Sequence, residues 1–383
     1  MSAARRPLRL LLLTDTAILG PGGSARFLRN LVANLGERYS VDVLQLAAQP
    51  DEPQRVGRLE HAGVRLLYRP VDAIYAPRGI AAYASVARMV LGGGYDILQS
   101  QHEKSDMINA CLPPIGRLRR ISNRRDMGFQ KSRRVRALFR RANRRFDRIV
   151  APSREILRAL VAEENADAAR CVAIPNGVDT QRFQPADAAR RAQLRAQLDC
   201  GADDWLIGCV ASFSPVKQHA TLVAAFALLH ERHPRARLVL VGAGPLRADI
   251  EAQVGALGLD NAVRMLGARS DVEQILPALD VFVLASSTEG MSNAILEAQA
   301  CGLGVVATAV GGNPELVTHG SNGLLVAAAD AAGLARALDD LASAPQRCRA
   351  LGAAGRRGVE QRHSVAAMTM AYQDLYEELA DAR

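Results

Sequence analysis

Two series of short apolar runs, each run separated from the next by an amphipathic stretch of helical spacing, restrict this chain's fold more than any other feature. The first series comprises Leu8–Leu13, Val41–Leu46, Val64–Leu67, Ile97–Gln99, Ile149–Ala151 and Val172–Ile174. The second comprises Leu206–Val210, Leu238–Val241, Val263–Leu266, Val281–Leu284, Val305–Ala307 and Leu324–Val326. Runs that are apolar along their whole length belong to strands covered on both faces, and strands that alternate with helices pair in parallel. Each series therefore predicts an α/β domain built on a doubly wound, Rossmann-like sheet. Between them, Pro175-Asn176-Gly177 opens a polar, alanine- and arginine-rich stretch that lasts to about Asp204 and offers few apolar contacts, so the junction is expected there. A length of 383 residues agrees, because it exceeds what one core usually serves. The expected domains are residues 1–182 and 183–364. In open parallel sheets ligands bind beyond the carboxyl ends of the strands, so function is expected in the post-strand loops, in a cleft that the two domains face.

Hydrophobic residues make up 49% of the chain and charged residues 23%, with no low-complexity tract, so nearly all of it is expected to fold. The six cysteines contain no C-x-x-C pair, which argues against a zinc site or a disulfide framework and for a reducing compartment. Arg5 and Arg6 precede Leu8–Leu13 in the manner of a signal peptide, but the run is short, carries Arg9 and stops at Asp15. A buried first strand explains it better. No stretch reaches the roughly 18 apolar residues of a membrane span. The expectation is a soluble, cytoplasmic protein that touches a membrane at most peripherally.

Net charge is +9, and its distribution is uneven. Between Arg117 and Arg148 fourteen Lys or Arg face only Asp126 and Asp147, which leaves the rest of the chain slightly acidic. Much of this segment is patterned as a helix with Val135, Leu138, Phe139 and Phe146 on one side. It reads either as a solvated basic helix or as a surface for anionic lipid headgroups or a polyphosphate-linked acceptor. Nucleic acid is not expected as a partner, because aromatics for base stacking are few and no nucleic-acid motif is present.

Several loops carry candidate chemistry. Gly20-Pro21-Gly22-Gly23-Ser24 follows the first strand and precedes a helical pattern, so it is either an anion-binding turn or a plain tight turn. Gly242-Ala243-Gly244-Pro245 lacks the third glycine of a dinucleotide fingerprint and reads as a turn near a nucleotide base. The run Ser286 to Ala298 follows a buried strand and ends near Gly302, a candidate helix cap. Its Gly290 can bring the Met291 and Ser292 amides against a phosphate at a helix start. Glu289, in the loop, and Glu297, about a turn into the helix, can accept paired hydrogen bonds from the diols of a sugar and a ribose. The alternative is two solvent-facing glutamates. Lys217, in Ser212-Phe213-Ser214-Pro215-Val216-Lys217, can neutralise charge on a departing diphosphate.

Four segments together resemble the GT-B glycosyltransferases of the large family 4 (glycosyl transferases group 1), over nearly the whole chain. Glu289 to Glu297 is similar to that family's E-x7-E motif, in the setting E-G-M-S-N-A-I-L-E-A. Ile174-Pro175-Asn176-Gly177-Val178-Asp179-Thr180 with Phe183 resembles its interdomain signature, Ser214-Pro215-Val216-Lys217 its donor-phosphate loop, and Gly311-Gly312-Asn313-Pro314-Glu315 its late loop. The resemblance implies a retaining transfer of a sugar from a UDP- or GDP-sugar to a glycan or lipid-linked acceptor, as in cell-envelope or exopolysaccharide synthesis. It implies no cofactor beyond that co-substrate and no metal. Glu289 would contact the transferred sugar, Glu297 the ribose and Lys217 the diphosphate. Gly22, Gly23, Ser212, Gly242, Gly290, Met291, Ser292 and Asn293 would complete the donor contacts, and a C-terminal helix over residues 365–383 would pack back on the first domain.

Two positions depart from the family. Ser212 stands where an arginine usually supplies a second phosphate cation, and the first-domain histidine that often lies near the sugar has no counterpart in Ser122-Asn123-Arg124-Arg125-Asp126-Met127-Gly128. Arg125 or Asp126 is expected in its place, with His102, after the run Ile97–Gln99, as a second candidate. The competing readings are a nucleotide-sugar epimerase or a phosphorylase on a similar fold, and a non-catalytic membrane-associated scaffold.

Overall fold

Thirteen strands lie in two parallel sheets in the computed structural model, which describes residues 6–20, 22–48, 63–125 and 131–382. The chain divides into two compact units, Met1–Gly177 with Val365–Arg383, and Val178–Ser364. Their first boundary precedes Phe183 by a few residues for a physical reason: Val178 N donates to His363 O (2.8 Å) and Phe183 is buried in the core of the second unit.

In the first unit, β1 (Leu8–Thr14), β2 (Tyr39–Gln45), β3 (Val64–Tyr68), β4 (Ile97–Gln101), β5 (Arg119–Asn123), β6 (Arg148–Ala151) and β7 (Cys171–Ala173) run in the order β3-β2-β1-β4-β5-β6-β7. Both faces are covered, as the unbroken apolar runs require. Leu10 and Leu12 of β1 meet Phe27, Leu28 and Leu31 of α1 (Gly23–Asn34), whereas Leu11 and Leu13 meet Val86 and Val90 of α2 (Pro77–Gly93) and Ile108 of α3 (Glu103–Cys111). Farther along that second face, Phe139 of α4 (Arg133–Ala142) and Ile156 and Leu160 of α5 (Arg154–Glu164) pack on Ile149 and Ala151.

The second unit repeats the plan with β8 (Trp205–Val210), β9 (Ala236–Val241), β10 (Val263–Gly267), β11 (Val281–Leu284), β12 (Gly304–Thr308) and β13 (Leu324–Val326), in the order β10-β9-β8-β11-β12-β13. Its longer helices are α6 (Ala188–Gln197), α7 (His219–Arg232), α8 (Arg247–Ala256), α9 (Asn293–Ala300), α10 (Ala331–Ser343) and α11 (Pro345–Arg362). The chain then returns to the first unit as α12 (Val365–Asp381), which places Tyr372 and Tyr376 beside α1. Asn123 Nδ2 donates to Tyr372 Oη (3.0 Å) and Tyr376 Oη donates to Gln99 Oε1 (2.8 Å), so neither buried hydroxyl is left unsatisfied.

The basic segment differs from its sequence reading. Arg119 to Asn123 is an interior strand, so Ser122 and Asn123 belong to β5 and not to a loop. Arg120 is buried beneath it and donates to the carbonyls of Asn109 (3.2 Å), Leu112 (2.9 Å) and Pro113. Arg124 and Lys131 are buried on Glu164 (3.2 and 2.7 Å), and Arg124 also meets Asp106 (3.0 Å). Two of the charges counted in the sequence, Arg124 and Lys131, are thus neutralised internally by carboxylates. Arg133, Arg134, Arg141 and Arg144 stay on the surface. Leu138 joins them there, 51% exposed, because it lies a helical step of about 100° from the fully buried Phe139.

Candidate active site

Strand order reverses between β8 and β11, and the two loops that leave the carboxyl ends of these strands lie against each other. Ser287 N donates to Val216 O (2.8 Å), which joins the post-β11 loop to the post-β8 loop. Across this junction Lys217 Nζ contacts Glu289 Oε1, and Ser286 Oγ donates to the same oxygen (2.8 Å). The structure therefore brings together the lysine and the loop glutamate singled out in the sequence. Neither glutamate is solvent-facing: the Glu289 side chain is 10% exposed, and Glu297, on the second turn of α9, is 3% exposed.

Glycines make this packing possible. Gly311 adopts a left-handed backbone (φ +52°), and a Cβ there would sit 1.7 Å from Glu289 O, to which Gly312 N donates (3.1 Å). A Cβ at Gly242 would sit 1.9 Å from Ala211 O, so the turn after β9 can press on the loop carrying Ser212 and Lys217. Phe213 N donating to Ala243 O (2.9 Å) fixes that approach. Ser212 itself is exposed, with its Oγ 3.2 Å from Ser214 Oγ. At the head of α9, Gly290 is half-buried, Met291 is buried, and Ser292 caps the helix by accepting from Ile295 N (3.3 Å), with Asn293 as the first helical residue.

Sequence reasoning missed two residues here. Ser286 looks like one hydroxyl in a polar run, yet it is fully buried and holds Glu289. His219, at the start of α7, is also buried, and neither ring nitrogen finds a hydrogen-bond partner among the described residues. Burial, with Lys217 nearby, pushes its pKa down to about 4, so the ring packing edge-on against Phe213 (4.8 Å between centroids) is neutral at physiological pH.

The first unit has its own reversal, between β1 and β4. Gly22 caps α1 without a side chain and a Cβ there would meet nothing within 4 Å, which leaves open space at this helix start beside Gly23. His102 follows β4 with φ +78° and ψ 174°, a backbone region that side chains other than glycine avoid. It is held there from both sides: Asp15 accepts from Lys104 N and Ser105 N (2.7 Å each), and Asp106 N donates to His102 O (2.9 Å). Burial raises the Asp15 pKa despite those two amides. Arg125 is directed into the unit instead of projecting from a loop. Its guanidinium stacks 3.7 Å from the Phe27 ring centre, donates to Asn176 Oδ1 and is pushed down to about 10 by burial. Asp126 lies outside the described residues.

Two family models match successive parts of the chain: "Glycosyltransferase Family 4" matches residues 21–182 and "Glycosyl transferases group 1" matches residues 190–358. The chain belongs to the group 1, family 4 glycosyltransferases. Among curated relatives of this family 4 chain, a GDP-mannose-dependent α-(1-6)-phosphatidylinositol monomannoside mannosyltransferase of Mycolicibacterium smegmatis is 35% identical over 194 residues, 48% of this chain and 50% of the relative. A D-inositol 3-phosphate glycosyltransferase of Actinosynnema mirum is 37% identical over 210 residues, 52% and 50% of the two chains. The chain spans about half the length of the curated relatives it matches. Solved structures agree on the fold. Anabaena HepE in complex with UDP and glucose superposes with a TM-score of 0.84 at 23% identity, covering 97% of this chain and 100% of that one. Sucrose-phosphate synthase from Thermosynechococcus elongatus gives 0.82 at 22%, covering 98% and 100%. The fold is GT-B.

Proposed function

We propose that this family 4 chain is a retaining glycosyltransferase that moves a sugar from a UDP- or GDP-sugar to a glycan or lipid-linked acceptor, and that it does so without a metal. The observation that carries the reading is the contact of Lys217 Nζ with Glu289 Oε1 at the β8/β11 reversal, with Glu297 buried on the helix that follows the Glu289 loop. Lys217 offsets the charge that grows on the departing diphosphate, Glu289 accepts from hydroxyls of the transferred sugar, and Glu297 accepts from the ribose. Retention follows when the acceptor attacks the face from which the diphosphate leaves. The names of its relatives support both nucleobases: HepE was solved with UDP-glucose, whereas the M. smegmatis relative is GDP-mannose-dependent. A thermal-shift comparison of UDP-glucose and GDP-mannose tests the donor, since a ligand that binds only the folded state raises its stability. The anomeric configuration of the product, read by NMR, tests retention: an inverted product contradicts it.

The acceptor side of the proposal is a lipid-linked intermediate at the inner face of a membrane, with the protein in the cytoplasm. No helix among the described residues is long and apolar enough to cross a membrane. What supports peripheral contact is the exposed cluster Arg133, Arg134, Arg141 and Arg144 around the outward-facing Leu138. In vesicle co-sedimentation, the expected outcome is binding that grows with anionic lipid, weakens with salt and is lost on R134E/R141E. Binding indifferent to lipid charge contradicts it.

A further inference from the structure

We infer that Ser286 is a positioning residue that holds the Glu289 carboxylate for the transferred sugar and leaves only Oε2 to accept from a ligand. The inference rests on the donor reading given above. Both donors to Glu289, Lys217 Nζ and Ser286 Oγ (2.8 Å), reach Oε1, and among the described residues Oε2 accepts no hydrogen bond. Ser286 is fully buried, and its own position is clamped: Thr308 Oγ1 donates to Ser286 O (2.6 Å), and Asn313 Nδ2 donates to Thr308 O (3.0 Å). The Glu289 backbone is fixed as well, by Gly312 N on its carbonyl (3.1 Å). What remains free is the rotation of the glutamate side chain, and the two donors on Oε1 stop it.

These two donors behave differently once a nucleotide sugar binds. Lys217 is the single cation in the loops at 211–218 and 285–292, because Ser212 carries no charge. A diphosphate therefore draws on Lys217, weakening its hold on Oε1, whereas the Ser286 hydroxyl has no such competitor. Ser286 becomes the residue that keeps the carboxylate oriented in the complex in which transfer takes place. Its loss should consequently appear in the chemical step and not in nucleotide affinity.

The test measures hydrolysis of UDP-glucose and GDP-mannose by wild type, S286A, S286C, E289Q and S286A/E289Q, together with UDP and GDP affinity by calorimetry. S286A should lower kcat about ten- to hundredfold while leaving nucleoside diphosphate affinity within about twofold, the signature of a misplaced group. S286C, which keeps the shape and a weak donor, should fall between S286A and wild type. S286A/E289Q should be no slower than E289Q, since the serine acts only through the glutamate. Losses that multiply in the double variant, or a loss confined to nucleotide affinity, would overturn the inference while the donor reading stands. A wild-type protein that binds neither UDP nor GDP would overturn both.

Discussion

The two strand-order reversals invite comparison, because each puts candidate residues at the carboxyl ends of a parallel sheet yet spends its polar contacts differently. At the β8/β11 reversal the candidate side chains are tied to one another, with Lys217 and Ser286 on one oxygen of Glu289. In the first unit they are tied to scaffolding: at the β1/β4 reversal Asp15 caps the start of α3, and after β5 Arg125 is spent on Phe27 and Asn176. The first arrangement gathers two donors from neighbouring loops on one carboxylate oxygen. The second is a rigid rim whose open surface is supplied by Gly22 and the strained turn at His102. The difference teaches that, on the proposed function, the second unit would meet a diphosphate and a sugar with side chains, whereas the first offers open backbone at Gly22.

Substitutions can break this contrast, beginning with the largest expected effect. Glu164→Ala should destabilise the protein by about 3–5 kcal/mol, because it strands the buried cation of Lys131 and removes one of the two carboxylates on buried Arg124. Urea unfolding measures this, and an unchanged midpoint would show that the cluster is not a stabilising element. Lys217→Ala should do the opposite: melting temperature near wild type, with turnover of the accepted nucleotide sugar reduced about 10²- to 10³-fold, as for loss of one charge-stabilising donor. If both variants fail in the same way, the division between scaffold and constellation is wrong.

Acid stability sharpens the comparison further. The folded pKa of His219, about 4, lies below its ordinary 6.5, so between these values the unfolded chain binds the additional proton. Stability is therefore full above about pH 6.5 and is lost as pH falls towards 4, with His219 contributing at most roughly 3 kcal/mol. His219→Phe should flatten that part of the acid limb in urea unfolding, and identical slopes would contradict the assignment. The smallest effect is expected from Ser212→Arg. A second cation in the post-β8 loop should tighten nucleoside diphosphate binding by about tenfold, the worth of a charged hydrogen bond. No change in calorimetric affinity would place the diphosphate away from this loop.

Legibility in the sequence follows the same line. The interior strands β1, β8 and β11 were readable because both faces are buried and the runs are mostly apolar, and β4 because its buried polar residues follow the apolar pair Ile97-Leu98. The interior strand β5 was not, since Arg119 and Arg120 precede Ile121 and suggest surface. Only the fold reveals that Arg120 is satisfied by three carbonyl oxygens. Leu138 misled for the reciprocal reason, an apolar residue next to Phe139 that faces outward. Lys217, Glu289 and Glu297 stood out in the sequence because the proposed diphosphate and vicinal hydroxyls call for those residue types near helix starts, and the structure brings the first two into contact and buries the third. Ser286 was not, because a hydroxyl that holds a carboxylate is distinguished from its neighbours only by burial and a 2.8 Å contact.

The central claim is that a nucleoside diphosphate binds on Lys217 at the β8/β11 reversal. Titrating UDP and GDP into wild type and Lys217→Ala by calorimetry tests it most directly. One nucleotide should bind wild type and weaken at least about tenfold in the variant, as expected for loss of a charged hydrogen-bond donor. Equal affinity in the two proteins would contradict the account.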